Sequence, residues 1–329
     1  MIVPLAVSAL TALPQDALDT MFGVESPVYV AIRAILSIAL VGLLGILSLH
    51  LVVLSRARRN AVMGTSLPGD ALDHASLSWV KVLLWTILVT TLARLAAQHA
   101  AFFGTDESWT RSTLGALLLG SNWGRGWWLA LTAIAIGFLG ESRIRRARSL
   151  GWPALTVATV ALAASIAMSG HAAVSPTAMV IHTLHVIGAG GWIGSLAAVM
   201  LIAMPAVLRS GDDNRHRQIG AVMRAFSTSA LGFAGVLVAT GTIAAWRNVE
   251  TVTGLVNSPY GRVLLVKLAL LSVTAGTGAY NWKRVLPSLG SSASSTSRLR
   301  TTAAIELLAA LAVLVVTAVL VATPMPGAH

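Results

Sequence analysis

Histidine and methionine are concentrated in one short stretch of this sequence. Met179, His182 and His185 are spaced by three residues, so on a helix they lie along one face. Met168 and His171 come shortly before them. The chain has no cysteine, and imidazole combined with thioether is the ligand set expected for copper when no thiolate is available. The pattern predicts a copper site formed by these five side chains.

The composition places these residues in a membrane protein. Only 11% of the residues are charged, 56% are hydrophobic, and the mean hydropathy is +0.78. A soluble domain carries roughly 25% charged residues, so lipid must be the solvent for most of this surface. The net charge of +11 does not indicate nucleic-acid binding, because no soluble module presents a basic patch. No phosphate-binding motif is present, and nothing predicts an enzyme.

Eight apolar segments approach the length of about 20 residues that a spanning helix needs. They are 29–54, 79–99, 126–141, 152–168, 178–208, 219–246, 260–282 and 301–323. Another apolar piece, 112–119, is too short and predicts a stub or re-entrant helix. We therefore expect an all-α polytopic bundle of about eight spanning helices. Its parts are a short N-terminal segment (1–28), a transmembrane domain (29–323) and a tail (324–329), with both termini periplasmic.

The distribution of arginine and lysine predicts this orientation. Loops one, three, five and seven hold fourteen of these residues, whereas the alternate loops hold only Arg111, Arg125 and Arg247. Basic loops are retained in the cytoplasm, so the even loops and both termini are expected outside. The histidine- and methionine-rich stretch then lies at the outer, periplasmic side of the membrane.

A glycine-rich segment directly follows His182 and His185. Gly190 and Gly194 have the small-xxx-small spacing that favours close packing of transmembrane helices. The same small residues would also leave room for an ion path or a flat cofactor, and the sequence does not decide between these uses.

Three parts of the second half carry a resemblance to a known family. SGHAAV (169–174) and HTLHVIGAGGWIGSL (182–196) match a Gly-His-Ala loop and a His-x-x-His helix that ends in Trp-x-Gly. ATGTIAAW (239–246) and SPYGRVLLVKLALL (258–271) match a Tyr-Gly-Arg motif and a buried lysine, and the last helix carries Glu306 near its start. Together they resemble the copper resistance D (CopD) family. The resemblance covers about 152–324, and the first four helices are similar mainly in hydropathy.

The resemblance implies copper handling in the bacterial inner membrane, with copper moving from periplasm to cytoplasm. It implies that His171, His182 and His185 bind copper and that Lys267 supports them. Copper ion and membrane lipid are the expected partners. Some family members also carry a periplasmic copper-binding β-domain, which this sequence does not show, so a separate periplasmic copper donor is a further expected partner.

Two other functions remain open at this stage. The family is distantly similar to two-haem membrane cytochromes. A haem b near the outer face would be ligated by His99 with His182 or His185, while Arg94 and Lys267 would hold its propionates, giving an electron-transfer protein. The third possibility is a non-catalytic subunit of a membrane assembly, in which the histidines serve packing alone.

Overall fold

The computed structural model describes residues 26–60, 67–144, 146–211, 214–249, 252–285 and 293–323. Within these ranges the chain is helical and contains no strand, which confirms the all-α prediction. The helices are α1 (Pro27–Arg59), α2 (Gly69–Phe103), α3 (Arg111–Leu118), α4 (Asn122–Ile144), α5 (Arg148–Met168), α6 (Pro176–Arg209), α7 (Arg215–Val249), α8 (Val252–Asn257), α9 (Pro259–Arg284) and α10 (Ala293–Ala322). A 3-10 turn (His171–Val174) connects α5 to α6.

In the described part of the chain, seven helices are long and apolar enough to cross a membrane: α1, α2, α5, α6, α7, α9 and α10. They contain seven of the eight predicted spans and confirm a multi-pass bundle. The remaining predicted span, 126–141, lies inside α4, which has 23 residues but carries polar and charged residues near both ends. The short segment 112–119 forms the eight-residue helix α3, as predicted.

The orientation across the membrane stays a prediction. So does the division into a terminal segment, a transmembrane domain and a tail. Residues 1–25 and 324–329, which include His329, lie outside the described residues.

Helix α1 occupies the centre of the bundle. It packs against α2, α6 and α10, and Leu40, Leu43 and Leu49 on it are fully buried. Helices α4 and α5 form a closely packed pair, and α9 pairs mainly with α10. Helices α7 and α9 bury much less of their surface, as expected for helices that face lipid.

Glycines allow α6 to lie directly against α1. A Cβ atom on Gly45 of α1 would overlap the backbone of Gly194, and one on Gly194 would overlap the carbonyl oxygen of Val41. Gly190 lies in the same way against Leu44. Residues Gly190–Gly194 form a π-helical turn, a local widening of the helix at this crossing. The predicted small-xxx-small contact between helices is therefore present.

The opposite side of the same segment packs on α7. A Cβ on Gly188 would lie 3.1 Å from the backbone nitrogen of Leu237, and Gly191 lies beneath the ring of Phe233. Helix α6 is thus held between α1 and α7 by near-contact of three backbones. This contact sets the register of α6 relative to α7.

A polar network around His50, near the C-terminal end of α1, joins α1, α2 and α5. The ring of His50 stacks on Trp152 with 4.2 Å between centroids, and its Nε2 lies 2.8 Å from the Ser76 hydroxyl. Its Nδ1 is 3.7 Å from the carboxylate of Asp73, to which Arg148 donates two hydrogen bonds. The sequence alone predicted no role for Asp73 or Arg148. These groups partner one another, so they explain how the buried imidazole of His50 is accommodated.

The glycine crossing gives a stability prediction. Replacing Gly45 with alanine is expected to lower the free energy of unfolding by ~1–3 kcal/mol, because the added methyl group forces α1 and α6 apart. The measurement is the unfolding transition of the purified protein in detergent. Gly235→Ala on α7, where an added Cβ would meet open space, is the matched control and should leave the transition unchanged or raise it slightly. Equal effects of the two substitutions would contradict this packing.

Candidate metal site

The first turns of α6 carry three of the predicted ligands. The helix begins after Ser175, whose side chain accepts a hydrogen bond from the backbone nitrogen of Ala178, and Pro176 occupies the first helical position. Met179, His182 and His185 follow on successive turns of one face. All three are half-buried, so they are neither sealed in the core nor fully open.

The ring of His185 is oriented by α7. Its Nδ1 lies 3.1 Å from the hydroxyl oxygen of Thr240, and the ring also forms a hydrogen bond with the backbone of Leu237. That hydroxyl has one proton, which it donates to the carbonyl oxygen of Val236 at 2.6 Å. With that proton used, the hydroxyl is an acceptor toward the imidazole, and this arrangement favours the tautomer that carries the ring proton on Nδ1. In the neutral ring the lone pair is then on Nε2, which is the form that binds a metal ion.

Gly241 permits this close approach of α7 to His185. A Cβ at this position would lie 3.1 Å from Cε1 of the imidazole, so a larger residue would push the ring away. Thr240 and Gly241 belong to the ATGTIAAW segment of the resemblance, which predicted no role for either residue. A threonine beside a glycine in an apolar helix is the signal that was available.

His182 and Lys267 complete the described part of the cluster. The imidazole of His182 makes no hydrogen bond with another described residue, so its nitrogens are available to a ligand. The ammonium group of Lys267, on α9, is near enough to act electrostatically on both His182 and His185. Lys267 forms no ion pair within the described residues. Lys267 thus lies within electrostatic range of the two histidines, and its supporting role stays a prediction.

The remaining predicted ligands lie on the connection before α6. Met168 is the last residue of α5 and is half-buried, and His171 begins the 3-10 turn, although its side chain lies outside the described atoms. Among the described side chains, no group of three histidine, aspartate or glutamate residues could hold a metal ion. Two imidazoles with methionine neighbours are therefore what the described residues offer, and the five-residue set stays a prediction.

The structure gives the haem alternative no support. His99 is 1% exposed, its ring stacks on Trp109 at 4.4 Å, and its Nε2 lies 3.3 Å from the Thr113 hydroxyl. Its helix, α2, packs mainly against α1 and α4, whereas Lys267 lies beside the α6 histidines. Arg94 is 8% exposed and lies over the ring of Trp123, with 5.7 Å from its Cζ to the ring centroid. His99 and Arg94 therefore have protein partners of their own.

Comparison with known families gives two matches. Residues 21–179 match the model of the copper resistance protein D-like N-terminal domain, and residues 220–320 match that of copper resistance protein D. Neither the curated proteins nor the solved structures contain a match. The first four helices thus resemble the family in more than hydropathy, since the N-terminal model extends the similarity well before residue 152.

The two matches divide the candidate residues. Met168, His171 and Met179 lie in the N-terminal match, and Lys267 lies in the C-terminal match. His182 and His185 lie between the matched ranges, so the comparisons assign them no role. Together the two matches cover most of the chain and all seven apolar helices at least in part. This multi-pass membrane protein belongs to the copper resistance D family.

Proposed function

We propose that this protein moves copper from the periplasm to the cytoplasm across the bacterial inner membrane. Copper is first bound at the outer ends of α5 and α6 by His171, His182 and His185 with Met168 and Met179. The family supports a role in copper resistance, and the basic loops support the orientation. A periplasmic copper donor is the proposed source of the ion.

The observation that carries this proposal is the state of the two imidazoles on α6. His185 is held by the Thr240 hydroxyl and by the backbone of Leu237, and we assign its ring proton to Nδ1, which leaves Nε2 as a lone-pair donor; His182 has no hydrogen-bond partner within the described residues. A histidine that serves packing alone normally has its polar atoms satisfied by protein, as His50 has. Two adjacent available imidazoles beside a thioether suit copper, and particularly Cu(I).

Lys267 gives the site a property that transport needs. A positive charge beside the imidazoles opposes a bound cation, so copper is held less tightly than by the same ligands alone. A transport site must bind its ion well enough to capture it and weakly enough to release it. We propose that Lys267 sets this balance and favours onward movement of copper between the helices.

The first prediction concerns the ligands. The double substitution of His182 and His185 by alanine is expected to reduce copper accumulation to the level of cells without the protein, because both described nitrogen donors are lost. The measurement is cellular copper by mass spectrometry in cells that produce equal amounts of protein. His74→Ala, at an exposed histidine on α2, is the matched control. Unchanged accumulation in the double variant would reject the site.

The second prediction concerns the hydrogen bond that orients His185. Thr240→Val keeps the shape of the side chain but removes the acceptor for Nδ1–H, so copper(I) affinity should fall about tenfold or more. Thr240→Ser retains the hydroxyl and should bind nearly as the parent does. Competition against a chromogenic copper(I) chelator measures both variants. Equal affinities of the valine and serine variants would contradict the assigned tautomer.

The third prediction concerns the charge of Lys267. Lys267→Gln is expected to raise copper(I) affinity about tenfold, since removal of a nearby positive charge is worth roughly 1–2 kcal/mol. Its transport rate in vesicles should fall, because release becomes slower. Arg262→Gln, one to two turns earlier on α9 and exposed, is the control. A loss of affinity in Lys267→Gln would contradict this role.

A further inference from the structure

A buried carboxyl group lies far from the candidate copper site. Glu306 is on α10, 13 residues after the start of this apolar helix, and is 3% exposed. Lys267 is near the beginning of α9, whereas the residues that face Glu306 are at the end of α9. An ionisable residue at such a position is costly and usually marks an ion or proton path.

Among the described side chains, the immediate surroundings of Glu306 contain no cation. Asn281 donates a hydrogen bond from Nδ2 to Oε2 of Glu306 at 3.2 Å. A Cβ on Gly278 would lie 3.1 Å from Oε1, so glycine provides the space for the carboxyl group. Lys283 and Arg284, on the next turn, are exposed.

Two ionisable groups of the neighbouring helix α1, Arg33 and His50, have other partners. Arg33 lies over the ring of Tyr29 at 4.1 Å, and His50 contacts Ser76 and Asp73. Among the described residues, Glu306 forms no ion pair. A carboxylate buried without a cation carries a free-energy cost that is removed when it binds a proton.

The side chain of Asn281 supplies an independent observation. It is 9% exposed, and its Oδ1 is buried without a hydrogen-bond donor. An amide carries a donor and an acceptor, and half a turn about its last bond exchanges them. With Nδ2 toward Glu306, the amide serves the ionised carboxylate. With Oδ1 toward Glu306, it accepts a hydrogen bond from the protonated carboxyl group. The pair can therefore hold both protonation states in the same space.

We propose that Glu306 and Asn281 form a proton-exchange site, and that copper moving inward is exchanged for a proton carried outward by Glu306. The first part stands on the geometry of this pair, and the second rests on the proposed function. One proton leaves the carboxyl group as one Cu(I) ion crosses in the other direction, so no net charge moves and no bond other than O–H is broken.

Carbodiimide labelling tests the first part without copper. Dicyclohexylcarbodiimide reacts with protonated carboxyl groups in apolar surroundings, where the acid adds across a C=N bond of the reagent. The full-length protein in detergent should be labelled at Glu306, and labelling should fall as the pH is raised. Peptide mass spectrometry identifies the site. Absence of label at every pH, or labelling that does not change with pH, would overturn the proposal.

Three variants make this experiment specific. Glu306→Gln should abolish the label, while Glu141, a half-buried acid at the end of α4, should remain unlabelled throughout. Asn281→Leu removes the donor for the ionised carboxylate, so labelling should persist to higher pH than in the parent. Gly276→Ala, where a Cβ meets open space, is the control for substitution on α9 and should match the parent. An Asn281→Leu profile identical to that of the parent would exclude Asn281 from the site.

Transport in vesicles tests the second part. Purified protein is reconstituted with a pH-sensitive dye inside, and Cu(I) is added outside. Inward copper movement should raise the internal pH, and Glu306→Gln should abolish this change. An unchanged pH signal in Glu306→Gln would overturn the exchange. If the parent protein takes up no copper, the proposed copper transport fails, and the labelling result still decides whether Glu306 exchanges protons.

Discussion

The near-contact of three helix backbones at the glycine segment of α6 is the constraint on which the rest of the structure depends. Gly190 and Gly194 bring α6 against α1, while Gly188 and Gly191 bring it against α7. In a membrane, apolar side chains gain little by leaving lipid, so association relies on close van der Waals packing between helices. One helix with small residues on two sides can meet two neighbours in this way. The register that results is therefore narrow.

That register determines the chemistry one turn away. His185 precedes Gly188 by three residues, and Thr240 follows Leu237 by three residues, so the contact between Gly188 and Leu237 is repeated one turn further as the contact between His185 and Thr240. The hydroxyl and the backbone of Leu237 then orient the imidazole. The packing of α6 on α7 thus holds the ring of His185 on which the proposed copper site depends.

Buried polar groups in this protein differ in how fully they are partnered. The groups around His50 contact one another or an aromatic ring and connect helices, whereas Arg94 lies over the ring of Trp123 but its Nε has no hydrogen-bond partner among the described residues. The imidazoles of α6 and the pair formed by Glu306 and Asn281 retain polar atoms without a partner among the described residues. The α6 imidazoles and the Glu306–Asn281 pair are at different levels of the bundle. This is the arrangement expected when an ion is taken up at one level and charge is compensated at another.

The sequence by itself determined the membrane class, the helical fold and the family. Lipid-soluble segments of spanning length must be helical because each helix satisfies its own backbone hydrogen bonds, and this holds for each segment independently. The placement of Met179, His182 and His185 on one face of a helix also followed from periodicity. Hydropathy identifies α4 as a spanning helix less clearly, because the polar residues at its ends lower its hydropathy below that of the seven apolar helices.

Only the tertiary structure decided which groups meet. Thr240 carries only the weak signal of a threonine beside a glycine, and Asn281 carries none, because their partners are 55 and 25 residues distant along the chain. The same holds for Asp73, which meets Arg148 only when α2 and α5 pack. Periodicity reports which residues share a face of one helix. Which faces of different helices touch depends on the shapes of side chains across every interface together, and that is a property of the packed bundle.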